Sequence, residues 1–223
     1  MTRFLTLVFL FFSVICYAGD ITGNVKSVGK EQADEDVKDG KYDSRKYKFI
    51  ERMNYGSLTD YIVYIDQKIP GTRPPEKPVQ VVIQKNATFT PHVLPIMVGT
   101  TVEWPNHDDI YHNVFSMSEV KPFDLGLYKN GEVKRVLFDK PGRVDVFCSI
   151  HTKMNCIILV LENPYFATTD SKGNYRISGV PPGTYTLKAW HERLPAQSSQ
   201  ITVPSTGDVV VNFVLGINGL PQY

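Results

Sequence analysis

The chain has 223 residues, of which 42% are hydrophobic and 21% charged, so it is long enough for one large globular domain or two small ones. Its 24 basic and 23 acidic residues nearly cancel, which argues against a nucleic-acid-binding protein. No glycine-rich phosphate loop occurs, and three cysteines are too few for a fold built on disulfides. The 12 Tyr, 12 Phe, 15 Pro and 16 Gly residues favour β-structure.

Residues 1–18 predict a cleaved secretory signal peptide. Arg3 precedes an apolar run from Phe4 to Ile15, and Ala18 places a small residue at the cleavage position. The run is shorter than the ~20 apolar residues that span a bilayer, so an uncleaved anchor is the weaker alternative. We expect cleavage before Gly19, a periplasmic or secreted protein, and no membrane span after signal removal.

The rest of the chain predicts short β-strands separated by Gly and Pro turns, without an amphipathic helical stripe. Residues 29–52 are highly charged with little apolar content, which is typical of a solvated loop. The continuous apolar run Ile157 to Leu161 predicts a strand buried on both faces. Short strands at close spacing indicate an all-β sandwich or barrel. The predicted strands are 21–25, 61–66, 79–83, 98–104, 134–138, 144–147, 157–161, 175–177, 185–190 and 209–215.

A cluster of metal-ligating side chains stands between two of these strands. Cys148, His151 and Met154 follow the spacing C-x2-H-x2-M, and His112 lies upstream. A thiolate and two imidazoles in a trigonal array with a weak axial thioether form the ligand set of a blue-copper site. These types of ligand suit both oxidation states of copper, because soft sulfur favours Cu(I) and imidazole tolerates either state. The pattern predicts one type 1 copper ion, and the alternative is an ordinary core with buried Cys and Met.

Residues 79–162 resemble the cupredoxins, most closely the plastocyanin and amicyanin group. The motifs that carry the resemblance are 99–106 (GTTVEWPN), 112–114 (HNV) and 148–154 (CSIHTKM), in that order. Residues 121–128 further resemble cupredoxin-containing proteins labelled methylamine-utilisation proteins. The resemblance implies a Greek-key sandwich in which Asn113 braces the ligand loop by hydrogen bonding. It implies that the copper ligands are His112, Cys148, His151 and Met154.

Cys156 leaves three interpretations open. It is a small buried apolar residue at the start of the strand at Ile157, or a disulfide partner of Cys148, or a second thiolate of a two-copper centre. A disulfide would remove the thiolate on which the blue site depends. The spacing of the two cysteines fits a two-copper centre poorly.

A second β unit follows the copper-site segment. Residues 169–175, 180–185 and 209–215 resemble the transthyretin-like regulatory domains found beside carboxypeptidases, which implies a small β-sandwich without a catalytic role of its own. The family pattern begins with two strands that have no counterpart in the sequence after residue 162. Residues 23–25 and 61–66 match those strands, although they precede the cupredoxin-like segment.

We therefore predict a discontinuous sandwich of residues 20–70 plus 163–217, with the cupredoxin domain, 79–162, inserted into it. The alternative is that residues 20–70 add an edge to the cupredoxin. Hydrogen bonding of the strand near Ile62 decides between the two arrangements.

The resulting functional prediction is an exported one-electron carrier with a redox partner protein in the periplasm. It is not an enzyme, since the chain lacks the His-x-His pairs of a multicopper oxidase. A non-redox copper carrier is one alternative, and an envelope module whose sandwich binds a partner or carbohydrate is another. A relic with Cys148 and Cys156 oxidised to a disulfide is a third.

Overall fold

The computed structural model describes residues 18–29, 54–73 and 79–216, and this part of the chain is all-β, as predicted. The predicted signal peptide, apart from Ala18, and the charged segment 30–52 lie outside the described residues. In the described ranges no helix is long and apolar enough to cross a membrane. One 3-10 turn covers Tyr55–Ser57. The strands are β1 (Gly19–Val28), β2 (Ile62–Ile65), β3 (Val79–Val81), β4 (Ile83–Lys85), β5 (Thr88–Thr90), β6 (Val93–Met97), β7 (Thr100–Pro105), β8 (His112–Ser116), β9 (Phe123–Tyr128), β10 (Val133–Phe138), β11 (Gly142–Phe147), β12 (Asn155–Leu161), β13 (Phe166–Thr168), β14 (Asn174–Val180), β15 (Gly183–His191), β16 (Leu194–Val203), β17 (Val209–Val210) and β18 (Phe213–Gly216).

The strands between residues 79 and 161 form a β-sandwich that we call the central sandwich. A five-stranded sheet, β6-β12-β11-β8-β9, is accompanied by a three-stranded sheet, β10-β7-β3, and by the hairpin β4-β5. Strand β7 alternates buried and half-buried residues, as expected of a strand with one face on a core. Its Trp104 is fully buried in one apolar cluster with Phe89 and Phe138. The candidate ligands lie on this sandwich.

The remaining strands form a second sandwich, which we call the flanking sandwich. One sheet has the order β13-β2-β15-β16, and the other joins β14, β1 and β17, with β18 also paired to β1. An apolar cluster that includes Ile21, Val63, Leu187 and Leu215 fills the space between these strands. Both sandwiches therefore have a core of their own.

Strands β12 and β2 bury both of their faces, and they pack against each other between the two sandwiches. Ile158 and Val160 of β12 belong to the core of the central sandwich, whereas Ile157, Leu159 and Leu161 form a third cluster with β2. On β2, Ile62 and Tyr64 enter this shared cluster while the alternate residues enter the flanking core. The prediction that the apolar run at 157–161 is buried on both faces is confirmed.

The strands that precede residue 79 pair with strands that follow residue 161. Strand β1 runs antiparallel to β14 and parallel to β17 and β18, and β2 lies between β13 and β15. Among the described strands, neither β1 nor β2 pairs with a member of the central sandwich. The strand at Ile62 is thus hydrogen-bonded on both edges to the C-terminal part of the chain.

Asn163 joins the chain segments that enter and leave the central sandwich. Its side-chain amide donates hydrogen bonds to the carbonyl oxygens of Ile65 and Gln67, each at 2.8 Å. Its side-chain oxygen accepts from the N–H of Tyr165 at 2.9 Å. Because Asn163 is buried, these bonds hold both chain segments together at the boundary between the sandwiches.

Two predicted strands are each broken in two. The run 209–215 divides into β17 and β18. At the break the carbonyl oxygen of Val211 lies so close to Gly23 that a Cβ there would approach it to 1.7 Å. The run 79–83 divides at Val82, whose N–H donates to Glu103 before the chain enters the β4-β5 hairpin. Six strands were not predicted, namely β5, β6, β8, β9, β13 and β16. The longest of them, β16, has a mostly polar and exposed sequence.

Candidate metal centre

Three potential ligands from two distant stretches of chain converge at one end of the central sandwich. His112 begins β8, Cys148 follows β11, and His151 lies in the turn before β12. The two imidazole Nδ1 atoms are 3.1 Å apart. The Sγ atom of Cys148 lies 3.9 Å from Nδ1 of His112 and 3.8 Å from Nδ1 of His151. Within the described ranges, no other group of three potential metal-ligating side chains is found.

The triangle formed by these atoms has the dimensions of a metal site. A point equidistant from the three donors lies about 2.1 Å from each, close to the roughly 2.0–2.3 Å that nitrogen and thiolate ligands keep from an ion such as zinc. A soft thiolate with two imidazoles suits copper as well as zinc. The residues present therefore fit a single transition-metal ion.

The turn from Cys148 to Met154 is closed by its own backbone. The N–H of Cys148 donates to the carbonyl oxygen of Met154 at 3.1 Å, and the N–H of Met154 donates to that of His151 at 2.9 Å. The side chain of Met154 is 1% exposed and belongs to the same apolar cluster as Cys148. All four residues predicted as ligands thus lie at this turn or beside it, with His151 only half-buried.

Asn113 connects strand β8 to the ligand turn. Its side-chain oxygen accepts a hydrogen bond from the N–H of Ser149 at 2.9 Å. Its side-chain amide donates to Asp124 on β9 at 2.7 Å. Asn113 follows His112 in sequence, and its hydrogen-bond partner Ser149 follows Cys148. This hydrogen bond therefore joins the two stretches of chain that carry the candidate ligands.

Sequence analysis missed Asp108, which contacts the ligand His112. The Asp108 carboxylate lies 2.8 Å from Nε2 of His112 and accepts backbone hydrogen bonds from Asn86 at 2.6 Å and Ala87 at 2.8 Å. Burial raises the pKa of the Asp108 carboxyl, but the bonds from Ala87, His112 and Asn86 outweigh it and hold the pKa below its usual value. The i, i+4 spacing to His112 was the available signal, but it is common by chance.

Cys156 is a buried, free thiol on β12. It is paired in register with Val146 on β11 and lies in the core of the central sandwich. Cys148 and Cys156 are both free, so they do not form the disulfide that was considered. Burial raises the pKa of the Cys156 thiol well above its usual value, which keeps it protonated and a poor metal ligand.

The other three histidines lie outside the cluster. His107 is exposed. His92 lies 3.0 Å from Glu192 and 3.2 Å from the carbonyl oxygen of Asn155. His191 is buried against the ring of Tyr61, with 5.1 Å between the centroids, and burial lowers its pKa.

Comparison with known families gives one match, which lies in the C-terminal part. Residues 158–216 match the family model described as a carboxypeptidase regulatory-like domain. This range includes the last residues of β12, which belong to the central sandwich, and then most of the flanking sandwich. No curated protein matches the chain.

Three solved structures are similar to part of the chain. A copper-containing nitrite reductase (NirK) from Thermus scotoductus SA-01 is 34% identical, over 43% of this chain and 25% of that one, with a TM-score of 0.37. A novel purple cupredoxin from Nitrosopumilus maritimus is 25% identical, over 37% of this chain and 97% of the cupredoxin, with a TM-score of 0.33. The Cu(I) form of a mutant of amicyanin is 23% identical, over 37% of this chain and 82% of the amicyanin, with a TM-score of 0.35. The chain thus spans about a quarter of the length of the nitrite reductase.

Proposed function

We propose that this chain is a mononuclear type 1 copper protein that transfers single electrons. The observation that carries the proposal is the convergence of one thiol and two imidazole Nδ1 atoms into a triangle with 3.1, 3.8 and 3.9 Å sides. Sulfur and two nitrogens in a trigonal arrangement are characteristic of electron-transfer copper sites. When bound, copper supplies the redox chemistry, since it alternates between the Cu(II) and Cu(I) states.

The protein residues have distinct roles in this proposal. Cys148 provides the sulfur donor, and His112 and His151 provide the two nitrogens. Met154 would hold the ion more weakly through its thioether sulfur, and this contact would adjust the reduction potential. Asn113 keeps the ligand turn in place through its bond to the backbone beyond Cys148, so the donors remain close together in both redox states.

We further propose that His151 is the side of the site from which electrons pass to a redox partner protein. Its ring is half-buried, whereas the His112 side chain is fully buried. The neighbouring Ile150 is 51% exposed, and Tyr111, next to His112, is 56% exposed. Because the sequence carries a net charge of only +1, apolar contacts of this kind suit the docking better than long-range electrostatic steering.

We propose an electron carrier in preference to an enzyme because the sequence lacks the His-x-His pairs of a multicopper oxidase. We place the protein in the periplasm or outside the cell, on the basis of the apolar N-terminal sequence.

We also propose that the central sandwich is a domain inserted into a carboxypeptidase regulatory-like domain. The pairing of β1 and β2 with C-terminal strands and the family match over residues 158–216 support that organisation.

Reconstitution of the metal-free mature protein with Cu(II) tests the copper site. We expect one equivalent of copper to give an intense visible sulfur-to-copper absorption. Cys148→Ser should abolish it, and Cys156→Ser, the matched control, should leave it unchanged. A colourless or weakly absorbing complex would refute the electron-transfer proposal and favour the copper carrier.

A further inference from the structure

The ring of His112 is held from both sides. Its Nδ1 atom faces Cys148 and His151, and its Nε2 atom lies 2.8 Å from the Oδ2 atom of Asp108. An ionised carboxylate only accepts hydrogen bonds, so Nε2 must carry the ring proton. Nδ1 of the neutral ring is then left with a free electron pair directed at the other two donors.

Asp108 is itself held by the tight turn between β4 and β5. The N–H groups of Asn86 and Ala87 donate to its two carboxylate oxygens at 2.6 and 2.8 Å. Both turn residues have positive φ angles, 54° and 51°, as in the tight turns that match the twist of a β-hairpin. The turn therefore presents adjacent N–H groups to the carboxylate.

The buried Asn106 fixes the loop that carries Asp108 through hydrogen bonds of its side chain. The side-chain oxygen of Asn106 accepts from the N–H of Asp108 at 2.9 Å. Its side-chain amide donates to the carbonyl oxygens of Ile110 at 2.9 Å and Tyr128 at 3.1 Å. A hairpin turn and a buried amide thus hold the carboxylate in place.

We propose that Asp108 is a positioning residue that fixes the Nε2–H tautomer of His112 and increases the donor strength of its Nδ1 atom. A carboxylate that accepts from the far nitrogen of a ligating imidazole raises the basicity of the ligand. A more basic nitrogen favours Cu(II) over the softer Cu(I). Asp108 consequently lowers the reduction potential and strengthens Cu(II) binding. The copper part of this inference rests on the proposed function, whereas the tautomer part does not.

The test compares Asp108→Asn with Asp109→Asn as the matched control. Asp109 is the adjacent residue, and its carboxylate accepts from Asn130 at 2.8 Å on the surface. The first measurement is nitrogen NMR of the imidazole groups in the metal-free protein near pH 8. In the native protein and in Asp109→Asn we expect a single, slowly exchanging Nε2–H tautomer of His112. In Asp108→Asn we expect a tautomer mixture or rapid exchange.

The second measurement is copper affinity and reduction potential. Removing such a partner typically weakens metal binding about 10–100-fold. We expect Asp108→Asn to weaken Cu(II) binding by at least about tenfold more than Cu(I) binding, which corresponds to a rise in potential of about 59 mV or more. If Asp108→Asn does not fold, Asp108→Ala, which offers Nε2–H no acceptor, replaces it with the same expected results.

The outcomes separate the two proposals. A native protein that shows the tautomer effect but no intense absorption with copper contradicts the proposed function and leaves the positioning role of Asp108 supported. An intensely absorbing native protein in which Asp108→Asn matches Asp109→Asn in tautomer and potential overturns the role of Asp108.

Discussion

The side-chain oxygen of Asn113 lies 2.9 Å from the backbone nitrogen of Ser149, although 36 residues separate them in sequence. Each of the two residues is adjacent to a candidate ligand: Asn113 follows His112, and Ser149 follows Cys148. This single hydrogen bond therefore spans the two stretches of chain that meet at the metal centre. It connects strand β8 to a turn that is also closed by its own backbone bonds.

We expect Asn113→Ala to loosen the site without removing a ligand. The Ser149 N–H and the Asp124 carboxylate each lose a partner, so the free energy of unfolding should fall by about 1–3 kcal/mol. The copper absorption should persist but shift or broaden. Denaturant unfolding and visible spectra measure both effects. Asn155→Ala serves as the control, because the Asn155 side-chain amide makes an exposed contact to Lys153.

Cys156 should resist thiol reagents in the folded protein. Its side chain is 1% exposed, and burial raises the pKa of its thiol, so at neutral pH it is neither accessible nor ionised. Alkylation followed by mass spectrometry should modify it only after unfolding. Loading the protein with copper before alkylation should protect Cys148, so that the measurement reports on Cys156. Rapid labelling of Cys156, or a Cys148–Cys156 disulfide in the purified protein, would contradict this assignment.

Asn163→Ala should destabilise the protein more than a surface asparagine substitution does. Two carbonyl oxygens and one N–H lose a buried partner, which predicts a decrease of roughly 2–3 kcal/mol in the free energy of unfolding. Denaturant unfolding gives the value. Asn130→Ala, on the surface, should change it by less than about 0.5 kcal/mol. Equal effects of the two substitutions would show that the junction does not depend on Asn163.

The ion pair between Asp20 and Arg176 predicts a pH dependence of stability. The guanidinium of Arg176 and the N–H of Gly179 hold the pKa of Asp20 below its usual value, so the carboxylate stabilises the folded state once it is ionised. This contribution is present above the ordinary aspartate pKa of about 4 and is lost as the pH falls through the lower pKa of the folded state.

The test compares the native protein with Asp20→Asn in denaturant unfolding at several pH values. The difference should be small, because the pair is exposed, and should be largest above pH ~5. It should decrease steadily on acidification. A difference that grows at low pH would show that the sign is wrong.

Local patterns in the sequence were sufficient to predict much of the fold. The apolar run at 157–161 predicted a strand buried on both faces, and β12 is one. A strand was also predicted at 98–104, where β7 lies. In contrast, β16 has an exposed, polar sequence of Ser and Gln residues. It is a strand because its backbone pairs with β15 over almost its whole length, and no side-chain pattern encodes that pairing.

The candidate site divides in the same way. Cys148, His151 and Met154 are close in sequence, so their spacing was informative. His112 was chosen as the upstream imidazole that completes the ligand set, and the family resemblance implied the same residue. Asp108 acquires its importance from contacts with a turn 22 residues earlier. That relationship depends on where the β4-β5 hairpin lies in the folded protein, which the sequence pattern did not contain.

Voltammetry of the copper-loaded protein tests the electron-transfer claim most directly. We expect a reversible one-electron wave, with copper retained after repeated reduction and reoxidation, because the protein's own hydrogen bonds hold the two ligand-bearing stretches together. Cys148→Ser should lose the wave. An irreversible response in which reduction releases the copper would contradict an electron carrier and would indicate a protein that transports the metal itself.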